Sequence, residues 1–293
     1  MNKYHTSVLL HEAIDQLMIE KGKRYIDATL GGGGHTKEIL DRGAEVLGID
    51  VDDDALSHVN EILKPEIENG KLKLARGNFK NIDKLAEEHG FSDVAGILFD
   101  LGVSSHHFDE AGRGFSVRYS GPLDMRMDQE LGVKAADLVN ALNRGELSQL
   151  FFTLGEERFA HRIADAIVRA RQAGPIQTTA ELVSIVNSVV PKKREGINPA
   201  TKVFQALRIA VNDELNSLKD ALPKALNLLS AGGRLAVISF HSLEDRIVKE
   251  IFKEFAEKGL GVIVTKKPII PSIKEIEENN RSRSSKLRVF KKV

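Results

Sequence analysis

"YIDATLGGGGHT", residues 25–36, sets four consecutive glycines between an apolar run and a helical pattern. Glycine loses more freedom on ordering than any other residue, roughly 0.5–1 kcal/mol relative to alanine in regular structure. A run of four therefore implies a backbone that something approaches closely. Strand, Gly-rich turn and helix in that order open a βαβ unit. Outward from it, "AEVLGID" (44–50) reads as a second strand ending at a carboxylate, "KLKLARGNF" (71–79) as a third and "VAGILFDLG" (94–102) as a fourth. The unbroken apolar run of the fourth implies burial on both faces. Strands alternating with helices imply right-handed crossovers and a parallel sheet.

Between about Asp109 and Thr201 the strand signals vanish, and "AADLVNALNRGELSQLFFTLG", "EERFAHRIADAIVRARQ" and "TAELVSIVNSVV" repeat at helical spacing. Alternation then resumes. "KVFQALRIAVNDELNSLKDAL" (202–222) reads as one long amphipathic helix, and "ALNLLSAGG" as a helix ending in a Gly-Gly turn. "RLAVISF" (234–240) is a fifth strand, "LEDRIVKEIFKEFAEK" a helix, and "GVIVTKKP" and "KLRVFKKV" two final strands. The expected architecture is α/β. A discontinuous sheet domain from 1–108 and 202–293 carries an all-helical insertion at 109–201, because neither flank completes a sheet alone.

Lys+Arg and Asp+Glu each number 42, so any attraction to nucleic acid must be a local patch rather than a global field. The absence of cysteine excludes disulfides and thiolate metal sites and fits a reducing compartment. With no ~20-residue apolar stretch and no signal-type leader, a cytoplasmic protein without a membrane partner is expected.

The loop is not a phosphate cradle of either common kind. Gly31 and Gly33 fit a G-x-G-x-x-G pattern, but Thr36 stands where the third glycine belongs, and no Gly-Lys-Ser/Thr follows. Asp50 lies about 20 residues on, where a carboxylate meets ribose hydroxyls, a feature of dinucleotide and S-adenosylmethionine sites alike. Asp100 ends the fourth strand beside the topological switch point. A buried carboxylate needs a partner. A pyrophosphate is a poor one, whereas a cationic sulfonium cofactor with a free amino group is a good one.

"HTSVLLHEA" (5–13), "IDATLGGGGHT" (26–36), "GILFDLGVSS" (96–105), "GRGFSVRYSGPLDMRMD" (112–128), "GEERFAHRIA" (155–164), "TKVFQALRIAVNDEL" (201–215) and "GGRLAVISFHSLEDRIVK" (232–249) span nearly the whole chain. Together they resemble the RsmH/MraW family of S-adenosylmethionine-dependent methyltransferases, which act on the N4 amine of a cytidine in the decoding centre of 16S ribosomal RNA. The resemblance implies a Rossmann-like, class I methyltransferase sheet of about seven strands, mostly parallel with an antiparallel C-terminal strand, plus the helical insertion as an RNA-substrate domain. It also implies S-adenosyl-L-methionine as cofactor and small-subunit ribosomal RNA, in an assembled particle, as partner; self-association stays open.

Carried over by position, the cofactor residues are Gly33, Gly34, His35, Asp50, Phe79, Asp100 and His107. His106-His107 departs from the family, where Pro-Gln is more usual. A His-His metal site lacks a third ligand, and no metal is expected. Amino-methyltransferases often place an Asp/Asn/Ser-Pro-Pro-aromatic motif after strand four, but "DLGVSS" has neither the prolines nor the aromatic. Candidates to meet the target base are Asp100, Ser104, Ser105 and His241. "PLDMRMD" alternates Asp124, Arg126 and Asp128, either as an ion network or facing substrate. For RNA, Arg158, Arg162 and Arg169 share one helical arc, with Asp165 among them, and Lys192, Lys193 and Arg194 form a basic loop. Arg281, Arg283, Lys286 and Arg288 lie in an acid-free tail, "RSRSSKLRVFKK". A nicotinamide oxidoreductase and a non-catalytic RNA-binding or assembly factor on the same fold are the rival readings.

Overall fold

The computed structural model describes residues 7–103, 108, 110–191 and 198–293. The chain divides into two compact units, residues 1–102 with 215–293 and residues 103–214. The helical unit thus runs from 103 to 214 rather than from 109 to 201.

The first unit is built on a seven-stranded sheet in the order β3-β2-β1-β4-β5-β7-β6. β1 (Arg24–Asp27), β2 (Glu45–Asp50), β3 (Leu72–Arg76), β4 (Val94–Asp100) and β5 (Leu229–Ser239) are parallel. β7 (Lys286–Lys292) runs antiparallel to β5 and to β6 (Gly261–Ile263). This is the mostly parallel seven-strand sheet expected of a class I methyltransferase.

Alternation along the central strands fills both faces. Ile26, Leu47, Ile49, Ile97, Phe99, Leu235 and Val237 point to one core, with Leu218, Ala221, Val248 and Phe252 from helices. Tyr25, Val46, Leu98, Ala236 and Ile238 point to the other, against Ala13, Ile14, Leu17, Ile39 and Val59. That two-faced burial is what a parallel sheet covered by crossover helices requires. Helices α1 (Leu10–Leu17), α2 (Gly34–Asp41) and α3 (Asp53–Ile62) supply one layer.

Two expectations fail locally. The stretch 202–222 is two helices, Thr201–Asn212 and Glu214–Leu228, broken at Asp213, which adopts a left-handed φ of 49°. The second helix runs through Pro223, and β5 starts directly after it at Leu229, where a Gly-Gly turn is expected. Leu229 pairs with Val94 and Arg234 with Gly96, so residues 230–233 bulge out of the ladder around Gly232 at φ 82°.

The second unit is helical around one core that includes Leu123, Met125, Leu147, Phe151, Ile163, Ile167, Leu182, Phe204 and Leu207. Three of its helices are α6 (Ala135–Ala141), α7 (Arg144–Gly155) and α8 (Ala160–Ala170); α4 (Lys64–Glu68) and α5 (Ile82–Glu88) precede them in the first unit. The "PLDMRMD" segment is an ion network: Arg126 forks onto Asp124 at 2.7 and 3.0 Å and donates to the Gln129 and Leu131 carbonyls. A Cβ at Gly121 would lie 1.9 Å from the Ala111 carbonyl oxygen, a backbone atom with no rotamer to escape into. Gly121→Ala should therefore destabilise this unit by about 3 kcal/mol. Thermal melting followed by circular dichroism checks it; an unchanged midpoint would show that the Ala111 turn yields freely. No helix among the described residues is long and apolar enough to cross a membrane.

Candidate active site

In the strand order 3-2-1-4-5 the connections leave β1 in one direction and return on its other side at β4. The crevice at the carboxyl ends of β1 and β4 is the switch point where such sheets bind ligands. The glycine loop leaves β1 there, and Asp100 ends β4 there.

The loop is tied down at both ends by carboxylates. Asp27, the last residue of β1 and 1% exposed, accepts the Thr36 hydroxyl at 2.7 Å and the Thr29 amide at 3.3 Å. Thr29 in turn accepts the Asp100 amide through its hydroxyl at 2.6 Å, linking β1 to β4. Across the loop, the Gly31 amide donates to Asp50 at 2.8 Å, and the other oxygen of Asp50 accepts the Asp52 amide at 3.0 Å. The Gly77 amide donates to the Asp50 carbonyl at 2.8 Å. That bond brings the turn after β3, with Phe79, to the end of β2. Phe79 is half-buried and stands edge-on to Phe99, ring centroids 5.6 Å apart.

The glycines have protein-side reasons. Gly33 caps α2 at φ 74°, and a Cβ there would lie 2.9 Å from Val59. A Cβ on Gly34 would come within 2.1 Å of the Ser7 hydroxyl. Both therefore serve packing as well as any close ligand approach. His35, in the first turn of α2 and 4% exposed, holds its Nδ1 3.6 Å from Asp100 Oδ2.

The electrostatics of this crevice are those of crowded acids. Burial, then the neighbouring carboxylates of Asp27 and Glu244, hold the Asp100 carboxyl well above the usual range. Burial pushes Asp27 up to about 6 against the pull of its Thr36 and Thr29 hydrogen bonds, and Asp50 adds to the rise. Asp100 Oδ1 is buried with no hydrogen-bond partner among the described residues. A buried acceptor in that state is satisfied by a donor or a cation.

Of the other site candidates, Ser104, Ser105 and His107 lie outside the described residues, as do Lys192, Lys193 and Arg194. His241 has a structural role beside any contact with the base, and its Nε2 is buried without a hydrogen-bond partner among the described residues. It is the N-cap of the helix Ser242–Glu257 (α12), its Nδ1 accepts the Glu244 amide at 3.4 Å, and its Nε2 faces Glu244 Oε1 at 3.2 Å. Arg288 is corrected as an RNA contact: it is 9% exposed within β7 and its Nε donates to Asp245 at 2.6 Å. Lys286 reaches the other oxygen of Asp245 at 3.0 Å. Arg281 and Arg283, in the turn before β7, are exposed. Asp27 and Thr36, which sequence reasoning left unassigned or noted only as a missing glycine, form the floor of the loop. Their legible signal is an acid closing an apolar strand nine residues before a hydroxyl in the first helical turn.

In the helical unit Arg158, Arg162 and Arg169 are all exposed. Arg158 precedes α8 rather than belonging to it.

A protein of Limosilactobacillus fermentum named ribosomal RNA small subunit methyltransferase H is 46% identical over 99% of this chain and 98% of its own length. One of the same name from Streptococcus equi subsp. equi is 44% identical, with the same coverage. Among solved structures, an rRNA methylase from Streptococcus thermophilus has a TM-score of 0.46 at 12% identity, over 97% of this chain and 93% of that one. The model of the MraW methylase family matches residues 2–293, and the chain belongs to that family.

Proposed function

We propose that this protein transfers a methyl group from S-adenosyl-L-methionine to the exocyclic N4 amine of a cytidine in small-subunit ribosomal RNA. The observation that carries the reading is Asp100: a carboxylate oxygen without a partner, buried at the switch point among further acids. Such a crevice repels a pyrophosphate and fits a ligand that is cationic at sulfur and at its amino group. When bound, the donor supplies an activated methyl on that sulfur.

The residues divide the work by position. Gly33, Gly34 and His35 open α2, whose N-terminal amides and dipole suit the carboxylate of the amino-acid end. Asp50, at the end of β2, is the carboxylate for the ribose hydroxyls, and it also fixes Gly31. Phe79 offers an apolar edge to the adenine. Asp100 accepts one N–H of the target amine, localising a lone pair otherwise delocalised into the ring, and receives its proton as the bond forms. In-line displacement then depends on alignment and exclusion of water. The target base must be unstacked to reach this crevice, which favours a structured ribosomal particle over free nucleoside as substrate.

The deciding experiment is methyl transfer to small ribosomal subunits with mass spectrometry of the RNA. A methyl on cytidine N4 is expected; no transfer, or a methyl elsewhere, would falsify the reading. Calorimetry tests the charge argument separately. The binding crevice loses negative charge as Asp27 protonates through about 6, so affinity for S-adenosylmethionine should weaken several-fold between pH 8 and pH 5. A pH-independent affinity would count against carboxylates holding the donor.

A further inference from the structure

Resting on the RNA-substrate reading, we infer that Arg158, Phe159 and Arg162 form a preorganised clasp for two RNA phosphates. Phe159, the N-cap of α8, is half-buried, and two guanidiniums gather on its ring: Arg158 at 4.8 Å from the centroid and Arg162 at 5.8 Å. Each guanidinium lies within cation–π reach of the same ring, so the quadrupole of Phe159 attracts both and gathers them at one place on the surface.

The nearest source of neutralisation is occupied elsewhere. Asp165 lies one turn along α8 from Arg162, where an i,i+3 ion pair is expected. Its carboxylate is instead taken by Arg144 of α7, which approaches both of its oxygens and holds its carboxyl below the usual range. Among the described residues no ion pair forms on Arg158 or Arg162, and both are exposed. Two unneutralised guanidiniums fixed on one ring match the repeating monoanions of a phosphodiester backbone, and the planar fork of arginine grips phosphate with two donors. A single-stranded or everted segment presents its phosphates to such a clasp without a groove geometry.

The test is binding of the full-length protein to small-subunit ribosomal RNA, by fluorescence anisotropy across a series of salt concentrations. Arg158→Ala/Arg162→Ala should weaken binding by about tenfold and flatten the log–log salt slope by ~1.5, since each lost phosphate contact removes about 0.7–0.9. Arg158→Lys/Arg162→Lys should keep the slope while losing part of the affinity. Phe159→Leu, which leaves both charges, should weaken binding with the slope nearly unchanged. Affinity for S-adenosylmethionine should stay at the parent value in all three. A double-alanine variant with the parent's affinity and slope overturns the clasp, and so does one that loses affinity without losing slope. If the parent binds RNA with a steep slope but transfers no methyl, the methyl-transfer reading fails and the clasp stands; if it transfers methyl while the slope is blind to these arginines, the reverse holds.

Discussion

Replacing Asp100 with Asn is expected to lower methyl transfer by about 10²–10⁴-fold, the usual worth of a positioned general base. The backbone of Asp100 is fixed by the Thr29 hydroxyl, so the substitution should not move the residue. Asparagine keeps an acceptor oxygen yet has neither the charge nor the basicity to take the amine proton. The side chain is 11% exposed, and its raised proton affinity comes first from burial and then from Asp27 and Glu244. A cationic donor arriving in the crevice opposes both effects and returns Asp100 to its ionised, accepting form. Donor affinity should fall by no more than about tenfold, far less than turnover, because Asp27 and Asp50 keep their carboxylates at the glycine loop. Single-turnover kinetics with calorimetry on the same preparation separates the terms. Full turnover in Asp100→Asn removes the residue from the mechanism. A matched loss of donor affinity would assign it to the donor's amino group instead.

How far the sequence reaches is set by which forces are local. The central strands are legible because a sheet buried on both faces leaves unbroken apolar runs, and "VAGILFD" becomes β4 almost residue for residue. The switch-point pair, Gly-rich loop and Asp100, follows from that order alone. The break at Asp213 is not legible: helical spacing continues across it, and a non-glycine residue enters the left-handed region without Gly or Pro to mark it. The bulge at residues 230–233 hides for a related reason, since a Gly-Gly pair signals a turn as readily as a bulge. Among site residues, Arg288 reads as one cation of a basic tail, but in "KLRVF" it lies in β7, where Asp245 of another element claims it. His241 carries the capping-box spacing to Glu244, with histidine in the place serine or threonine usually holds, so its structural role is written in the spacing rather than in the residue type. The tethers among Asp27, Thr29, Thr36 and Asp50 join separate elements, and periodicity carries no trace of such contacts.

Asp27→Asn is expected to make the protein more stable and a poorer binder of its donor, and the sign follows from linkage. In the folded protein the Asp27 carboxyl titrates at about 6, against an ordinary 3.8. Between those values the folded state holds the proton more tightly than the unfolded chain, so wild-type stability falls as pH rises through that window. Above it the buried charge costs at most about 3 kcal/mol, at 1.36 kcal/mol per pH unit of separation. Asparagine removes the charge while its oxygen can still accept the Thr29 amide, and the Thr36 hydroxyl can turn to accept from the new amide group. A gain of about 1–3 kcal/mol at pH 8 is therefore expected, shrinking to nothing below pH ~4, where both side chains are neutral. Affinity for S-adenosylmethionine should fall about tenfold at pH 8, and its dependence on pH near 6 should disappear. Denaturant unfolding at pH 8 and pH 4, with calorimetry at pH 8 and pH 5, reads all four quantities. A variant less stable than wild type at pH 8 would show that the Thr36 and Thr29 hydrogen bonds outweigh the buried charge. Unchanged donor affinity would show that the acid is there for the loop alone. The expected result instead has a carboxylate kept at the base of the glycine loop against its own effect on stability, because the ligand it serves is a cation.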